Sequence, residues 1–453
     1  MVELAIERAH SLAHHFGDVA SAASLIEEVL PAVTDEHLRV SVEVALAELT
    51  GWGGHMADAV VLSEAVLQRP DLDADAALSA TSLLVFARAQ TGPFDVLASL
   101  VVEGRKLVKA TKGEARIYAL WLYAGEFNHA FFARDLSAAT IIARRYQSPD
   151  SSPEVPDDFR AVGAVTEAMA SVFSGRSIDA TGQLAQGRAL LGDADPYELV
   201  AYLEAMSAIV SAHRGDERVL AKRVDRFLEQ RHGRTTHSAG IADYAIAHLE
   251  AIRNGPKAGV AVARERANQT ITVDGTLSWA SLSLLLGPRL GEPGQVVDDL
   301  ASVADAIGGV LVPCGASHAR ALIDRDGDAL IECAQTYGRA GFLLFAAEAA
   351  EQAAIVAMTE GSEVPAARFR LLRDRWLLSC QPFWSTTLTD IKPVITARER
   401  DVLSPIAEGL TTRECAELLF LSAKTVENHL GRMYRRFGVG GRAELLSLVD
   451  TLN

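Results

Sequence analysis

The sequence predicts an all-α protein, in which a long α-solenoid of helix pairs is followed by a small four-helix domain. Three observations predict it. Apolar residues recur at helical spacing through nearly all of residues 1–380, with hardly any strand-like alternation. The composition is rich in Ala and only 6% aromatic, which favours helices. Short breaks recur about every 39 residues along the same region, as in a repeat array.

The breaks divide residues 1–380 into units of two helices and a tight turn. Gly suits a left-handed turn residue, and an Asp directly after it, such as Asp18 or Asp216, can cap the second helix. One helix pair cannot bury its own apolar face, so neighbouring pairs must stack. The breaks fall at or near Gly17, Gly53, Gly92, Arg134 and Asp135, Gly175, Gly215, Gly255, Gly291 and Gly327.

The array resembles tetratricopeptide-like repeats in organisation, although its period is longer and the full repeat signature is absent. Such solenoids have a concave surface that commonly binds a protein or peptide, and a small-molecule ligand is a further possibility. The alternative is a rigid spacer that presents the C-terminal domain and helps it to dimerise.

Charge is divided unevenly along the chain. The net charge is −16, but residues 391–453 carry nine basic against eight acidic residues, which leaves −17 for residues 1–390. The acidic bulk repels phosphate, whereas the C-terminal domain is compatible with it. The four cysteines are far apart and indicate reduced thiols. Neither a secretory leader pattern nor an apolar run of membrane-spanning length occurs, so we predict a cytoplasmic protein with no membrane partner.

The C-terminal region begins after a predicted linker, residues 381–394, which contains two prolines within a polar run. Thr396 and Glu399 have the spacing of a capping box, which opens a first helix that should stop at Gly409. A second box at Thr411 and Glu414 opens a short helix that ends near residue 419.

A third helix is predicted over residues 423–437, capped by Ser422 and ended by Gly438. Its apolar side should be buried and consists of Val426, Leu430, Met433 and Phe437. The opposite side is basic and carries an amide, which is what the DNA major groove admits. The predicted DNA contacts are Lys424, Thr425, Glu427, Asn428, Gly431, Arg432 and Arg435, with Thr412 and Arg436 as phosphate neighbours.

Residues 395–403, 407–419, 422–430 and 437–445 together resemble the LuxR-type, or GerE-like, helix-turn-helix domain. The resemblance implies a domain at 395–453 in which the third helix reads double-stranded DNA. It also implies that a fourth helix, over about 442–452, supports a homodimer. An acidic helical-repeat body at 1–380 before such a domain resembles the C-terminal portion of large ATP-binding LuxR regulators. No phosphate-binding loop motif occurs in this chain, so we expect no ATP-binding module and no cofactor.

Three residues depart from the family pattern. Pro405 lies inside the first helix and removes one backbone hydrogen bond, so a kink is expected there. Cys415 replaces an aliphatic residue and should be a small buried hydrophobe. Glu427 stands where many members have Lys, and its carboxylate can accept from a cytosine amino group while repelling phosphate.

Other candidate sites are weaker. His10, His14 and His15 cluster, but without an acidic or third ligand at metal spacing they indicate solvated histidines. Residues 324–328 hint at a calcium loop but lack the Gly and Glu that such a loop needs at its sixth and twelfth positions. His429 has no nucleophile motif beside it. We therefore predict neither a metal site nor an enzyme.

Two alternatives to a DNA-binding regulator stay open on the sequence. In the first, the chain is an interaction scaffold whose C-terminal domain mainly dimerises, which agrees with Glu427 and with the small net charge of that domain. In the second, the chain is a sigma-like factor, because sigma region four has a similar helix-turn-helix. The 438–445 segment and the lack of a promoter-melting region count against a sigma factor.

Overall fold

The structure is a computed structural model that describes residues 2–16, 18–70, 72–111, 119–147, 157–191, 199–230, 237–389 and 394–450. It confirms the all-α class, since these residues contain helices and turns but no strand. Within the described ranges, none of the helices combines the length and apolar character that crossing a bilayer requires.

Ten helix pairs follow one another through the first 380 residues, counted over the described part. They are α1 (Val2–Phe16) with α2 (Val19–Val29), α3 (Glu36–Trp52) with α4 (Met56–Leu67), α5 (Ala74–Thr91) with α6 (Leu97–Ala110), α7 (Ala119–Ala133) with α8 (Leu136–Gln147), α9 (Asp157–Phe173) with α10 (Ser177–Leu190), α11 (Leu199–Arg214) with α12 (Glu217–Gln230), α13 (His237–Asn254) with α14 (Pro256–Asp274), α15 (Leu277–Leu284) and its short continuation α16 (Leu286–Arg289) with α17 (Val297–Ile307), α18 (Leu311–Asp324) with α19 (Gly327–Arg339), and α20 (Leu343–Thr359) with α21 (Glu363–Leu378). The C-terminal domain adds α22 (Ala397–Ala407), α23 (Thr412–Leu418), α24 (Ala423–Phe437) and α25 (Arg442–Asp450).

The turns within the pairs follow the predicted chemistry at most positions. Gly175 and Gly215, for example, have φ values of +84° and +70°, in the left-handed region that favours Gly. Asp18 accepts a hydrogen bond from the Ser21 amide at 3.0 Å and so caps α2. Asp216 does the same for α12 through the Val219 amide, at 3.2 Å. Local turn chemistry therefore sets the boundaries of the pairs.

Three predicted breaks need correction or lie outside the description. Gly53 has an ordinary φ of −68°, and the neighbouring Gly54 takes the left-handed conformation instead. Gly327 begins α19, while Arg325 holds the left-handed turn with φ +56°. Gly17 lies outside the described residues. A tenth turn, at Gly361, was not predicted from the repeat spacing.

The array curls until distant pairs touch. Helix α5 contacts α15, and α7 contacts α18. Backbone hydrogen bonds also join the α7–α8 pair to distant turns of the array. They run from Leu136 N to Ala340 O at 2.9 Å and from Val310 N to Phe132 O at 3.2 Å. One apolar core consequently runs from Val85 to Ala350, and the first helices of the central pairs are buried nearly all round. Over these pairs, the concave surface expected from the repeat pattern is filled by the protein's own side chains.

A charged pair lies inside this core. The Arg289 guanidinium donates to the Glu348 carboxylate at 2.7 and 3.1 Å, and it stacks 4.0 Å from the ring centre of Phe345. It also donates to the Tyr244 hydroxyl. Burial, together with the charge of Arg289, lowers the pKa of nearby His248 to about 3, so that imidazole is neutral. Helices from three different pairs therefore meet around one cation.

The segment after α21 packs along the turns of the array. Gln381 N donates to Gly175 O at 2.8 Å, and Trp384 N donates to His213 O at 2.7 Å. Farther along, the Thr387 hydroxyl donates to Arg289 O at 3.1 Å, and Leu388 is buried. Residues 381–388 of the predicted linker are thus held by the fifth, sixth and eighth pairs.

The central ion pair generates a stability prediction. Arg289→Met leaves the buried Glu348 carboxylate without its cation, so the free energy of unfolding should fall by about 3–5 kcal/mol. The double change Arg289→Met with Glu348→Leu should recover most of this loss, because neither charge then remains buried. Urea unfolding followed by circular dichroism measures both. Arg264→Gln breaks a more exposed pair with Asp299 and should change stability by less than about 1 kcal/mol. An Arg289→Met variant as stable as this control would contradict the prediction.

Candidate nucleic-acid interface

Both capping boxes predicted for the C-terminal domain are present. The Thr396 hydroxyl accepts from the Glu399 amide at 3.2 Å, and the Glu399 carboxylate accepts from the Thr396 amide at 2.9 Å. Thr411 and Glu414 repeat the arrangement at 3.3 and 2.7 Å. The Thr411 amide and the Thr411 hydroxyl both donate to the Glu414 carboxylate, and these hydrogen bonds lower the pKa of that carboxyl. These caps fix where α22 and α23 begin.

Helix α24 has the predicted bounds and the predicted caps. Ser422 accepts from the Thr425 amide at 3.1 Å, and Gly438 ends the helix with φ +61°. All four residues of the predicted apolar side, Val426, Leu430, Met433 and Phe437, are buried. Cys415 of α23 is buried too, as expected, and its thiol donates to Val402 O at 3.6 Å. Helix α24 is therefore anchored on one side and open on the other.

The open side of α24 carries the predicted DNA-contact residues. Thr425 and Gly431 are half-buried, and the others are exposed: Lys424, Glu427, Asn428, Arg432 and Arg435. His429 is half-buried at the edge of the apolar side. Thr412 is half-buried in the first turn of α23. The structure thus brings these residues to one face of α24 and, for Thr412, to the start of α23.

The exposed arginines of the domain differ in their pairing. Arg398 of α22 pairs with Asp401 at 3.4 Å and Arg413 of α23 pairs with Glu417 at 3.3 Å, whereas the exposed Arg400 of α22 has no ion pair with a described residue. On α24, Lys424 reaches Glu427 at 3.2 Å. Arg432 and Arg435 have no ion pair with any described residue. Two arginines are therefore available for an external anion, and Glu427 is partly neutralised by Lys424.

Arg436 is directed into the domain. Its guanidinium donates to both oxygens of Glu399 at 2.9 and 3.0 Å and also to the Val394 carbonyl. Burial opposes ionisation of Glu399, but the Arg436 and Thr396 hydrogen bonds outweigh it and lower the pKa of that carboxyl. The pair joins α24 to the start of α22. A phosphate contact by Arg436 would have to compete with this pairing.

The domain is packed against the last helix of the repeat array. The Arg368 guanidinium on α21 donates to Phe437 O at 2.8 Å and to Gly438 O at 3.1 Å. Asp374 accepts from the Val394 amide at 2.6 Å. Ala367 and Leu371 lie in the same apolar cluster as α22 to α25. The C-terminal end of α24 is therefore held by α21.

Sequence reasoning missed this support. Arg368 and Phe437 are 69 positions apart, and no local pattern links them. Helix α21 carries four arginines, Arg368, Arg370, Arg373 and Arg375, but their spacing does not point to a partner in the C-terminal domain. Helix α22 runs through the predicted kink position to Ala407, and Pro405 is buried near its end. The turn between α23 and α24 contains Phe420, which has φ +55° and is 96% exposed.

The other candidate sites do not form a metal centre in the described part of the chain, where no cluster of three suitable ligands occurs. His10 lies 3.4 Å from Glu48, which raises the pKa of its imidazole through a hydrogen bond. The side chains of His14 and His15 lie outside the described set. In the suspected calcium loop, Asp326 caps α19 by accepting from the Ala329 amide at 2.9 Å.

Helices α23 and α24 are joined by a short turn. Helix α24 packs its apolar side into the domain and exposes a polar, basic side. This is the arrangement of a helix-turn-helix nucleic-acid-binding domain. Residues 393–449 match the model of the family described as bacterial regulatory proteins, luxR family. The chain belongs to the LuxR family of bacterial regulatory proteins.

Individual relatives share this domain. The chain is 43% identical over 53 residues to the spore germination protein GerE of Bacillus subtilis, which is 12% of this chain and 72% of that protein. It is 38% identical over 52 residues to the putative HTH-type transcriptional regulator Mb0914c of Mycobacterium bovis, 12% of this chain but 6% of that protein. The crystal structure of the P58(IPK) TPR domain aligns with 83% of this chain and 98% of its own, at 14% identity and a TM-score of 0.21, too low to support an argument.

The Glu399 pair generates a pH prediction. The pKa of Glu399 is lower in the folded protein than in the unfolded chain. Its contribution to the free energy of unfolding is therefore fully present above the pKa of the unfolded chain, and it is lost as the pH falls through the pKa of the folded protein. Glu399→Gln should cost about 1–3 kcal/mol at neutral pH, since a charged hydrogen bond to Arg436 is lost. The difference from the unsubstituted protein should shrink below about pH 4.

Urea unfolding at several pH values measures this difference. Glu408→Gln, at an exposed carboxylate past the end of α22, is the matched control and should show no comparable loss. A Glu399→Gln penalty that is unchanged between neutral and acid pH would refute the assigned ion pair.

Proposed function

We propose that this protein is a sequence-specific transcription regulator that binds double-stranded DNA as a homodimer, with α24 in the major groove. One observation carries the proposal: the exposed side of α24 combines an amide, Asn428, with two arginines, Arg432 and Arg435, that have no ion pair among the residues the structure describes. An amide can read adenine edges, and arginines bind guanine or phosphate. The family membership of residues 393–449 supports the same assignment.

The proposed contacts divide by chemistry. Asn428, Glu427 and Lys424 are proposed to meet base edges, because they lie in the N-terminal half of α24. Arg432 and Arg435, farther along the helix, are proposed to meet the backbone, together with Thr425, Gly431 and Thr412. For Arg436 we keep a phosphate contact as the weakest member of the set, because its guanidinium is already paired.

The homodimer is proposed to form through α25. Its residues Ala443, Glu444 and Ser447 are exposed, so a second copy has access to that helix. Two copies of α24 would then read half-sites about one DNA turn, or 34 Å, apart. The repeat array, which carries the acidic charge, is proposed to receive a protein, peptide or small-molecule signal. We also propose that the protein acts in the cytoplasm.

A genome-wide affinity pull-down tests the proposal directly. Purified protein is mixed with fragmented host DNA at moderate salt, and the retained DNA is sequenced. Enrichment of a few upstream sites with a shared, roughly palindromic motif is expected. Uniform retention would contradict sequence-specific binding. A protein that dimerises without salt-dependent DNA affinity would favour the interaction scaffold, which the −17 charge of residues 1–390 also permits.

Two substitutions on α24 should behave differently. Asn428→Ala should lose discrimination of about 1–3 kcal/mol at one base position, because a base-edge contact is removed. Arg435→Ala should weaken binding to all sequences and reduce the slope of log affinity against log salt by about one. Fluorescence anisotropy with specific and scrambled duplexes at several salt concentrations measures both effects.

Arg264→Ala, which removes an arginine of α14 in the repeat array, is the control and should leave DNA affinity unchanged. If Asn428→Ala and Arg435→Ala also leave it unchanged, the reading face has been placed on the wrong side of α24.

A further inference from the structure

Two of the four cysteines meet inside the ninth helix pair of the array. Cys314 lies in the first turn of α18, and Cys333 lies in the middle of α19. The Cys314 thiol donates to Cys333 O at 3.6 Å, so its sulfur is directed at the second cysteine. The two residues are 19 positions apart in the sequence, and the turn at Arg325 brings their helices together.

The side chains of these two cysteines also interact directly. A hydrogen bond between the two thiols, together with burial, raises the pKa of Cys314. The same hydrogen bond lowers the pKa of Cys333 against the opposing effect of burial. The Cys333 sulfur is therefore favoured as the thiolate, and the Cys314 S–H is its donor. A thiolate is the form of cysteine that oxidants attack.

The cysteine pair is buried but not sealed. Cys314 and Cys333 are 7% and 6% exposed, whereas Cys415 in the C-terminal domain is 0% exposed. This residual exposure leaves room for contact with a small oxidant such as a peroxide. A thiol on another protein would need a much wider approach. The geometry therefore favours a bond within the pair over a bond to a second chain.

The other two cysteines are in a different situation, since each donates to a backbone carbonyl one helical turn or one helix away. The Cys380 thiol donates to Trp376 O at 3.5 Å, and burial raises its pKa to about 12. The Cys415 thiol donates to Val402 O at 3.6 Å, and burial raises its pKa as well. Both should stay protonated near neutral pH, which makes them internal controls for oxidation.

We propose that Cys314 and Cys333 are a modification site, at which hydrogen peroxide forms a reversible disulfide between α18 and α19. The Cys333 thiolate attacks one peroxide oxygen, the O–O bond breaks, and hydroxide leaves. The Cys314 thiol then attacks the sulfenic acid on Cys333, so that the S–S bond forms, the S–O bond breaks and water leaves. The two thiols together lose two electrons and two protons, and the peroxide is reduced to two molecules of water.

The disulfide would lie next to a contact that closes the array. Helix α18 contacts α7, and the Val310 amide, directly before α18, donates to Phe132 O. A covalent link between α18 and α19 restricts the unfolded chain, so the oxidised array should unfold at a higher temperature. The inference goes beyond the proposed function and does not depend on it. Because the experiment contains no DNA, a failure of one proposal is distinguishable from a failure of the other.

Peptide mapping by mass spectrometry tests the site on the full chain. The protein is treated with hydrogen peroxide at neutral pH, the remaining thiols are alkylated, and the digest is analysed without reduction. We expect linked peptides that contain Cys314 and Cys333, their loss after treatment with dithiothreitol, and alkylated Cys380 and Cys415. The proposal is overturned if Cys314 and Cys333 remain alkylated, if either is oxidised to sulfinic acid without the link, or if either is joined to another cysteine.

Variants assign the two roles. In Cys314→Ser the hydroxyl can still donate to Cys333, but no second thiol is present, so the Cys333 sulfenic acid should persist and be trapped by dimedone. Cys380→Ser is the matched control and should form the link to the same extent as the unsubstituted chain. Peroxide should raise the Tm of the control and of the unsubstituted chain but not that of Cys314→Ser. An equal rise in Cys314→Ser would overturn the assignment, and peptide mapping of the unsubstituted chain decides the case if this variant does not fold.

Discussion

The structure depends on the need of each helix pair to bury the apolar faces that it cannot bury alone. Stacking on the preceding and following pairs buries two sides of a helix pair, and the curl of the array buries a third side. The contacts of α5 with α15 and of α7 with α18 close the array on itself. Once closed, the interior excludes water, so the few charges inside must be matched, as the Arg289 guanidinium is by the Glu348 carboxylate. The segment after α21 packs along the turns of this closed array.

Local chemistry made much of the fold predictable from the sequence. The bounds of α24 followed from Ser422 and Gly438 because both caps act within a few residues. The turn that the sequence predicted at Gly327 lies two residues earlier, because Arg325 adopts the left-handed conformation that Gly usually takes. The closure of the array was not predictable, because a repeat period indicates that units stack but does not give the angle between them. The contact of Arg368 with Phe437 was hidden for the same reason, since it joins distant parts of the chain.

Charge is organised on two scales in this molecule. At the scale of the chain, residues 1–390 carry the negative charge and the C-terminal domain is nearly neutral. Within that domain, Arg398 and Arg413 are paired inside their own helices, whereas Arg432 and Arg435 of α24 have no ion pair among the described residues. The exposed side of α24 therefore carries positive charge that the described part of the domain does not neutralise.

Helix α21 belongs to two cores at once, since it packs on α20 and also contributes Ala367 and Leu371 to the cluster beneath α24. A fragment cut at residue 395 would therefore expose apolar surface and leave the Phe437 and Gly438 carbonyls without Arg368. The packing unit that contains α24 is for that reason larger than the region that matches the family, and it begins at Glu363. Residues 395–453 alone would lack Arg368, which holds the C-terminal end of α24.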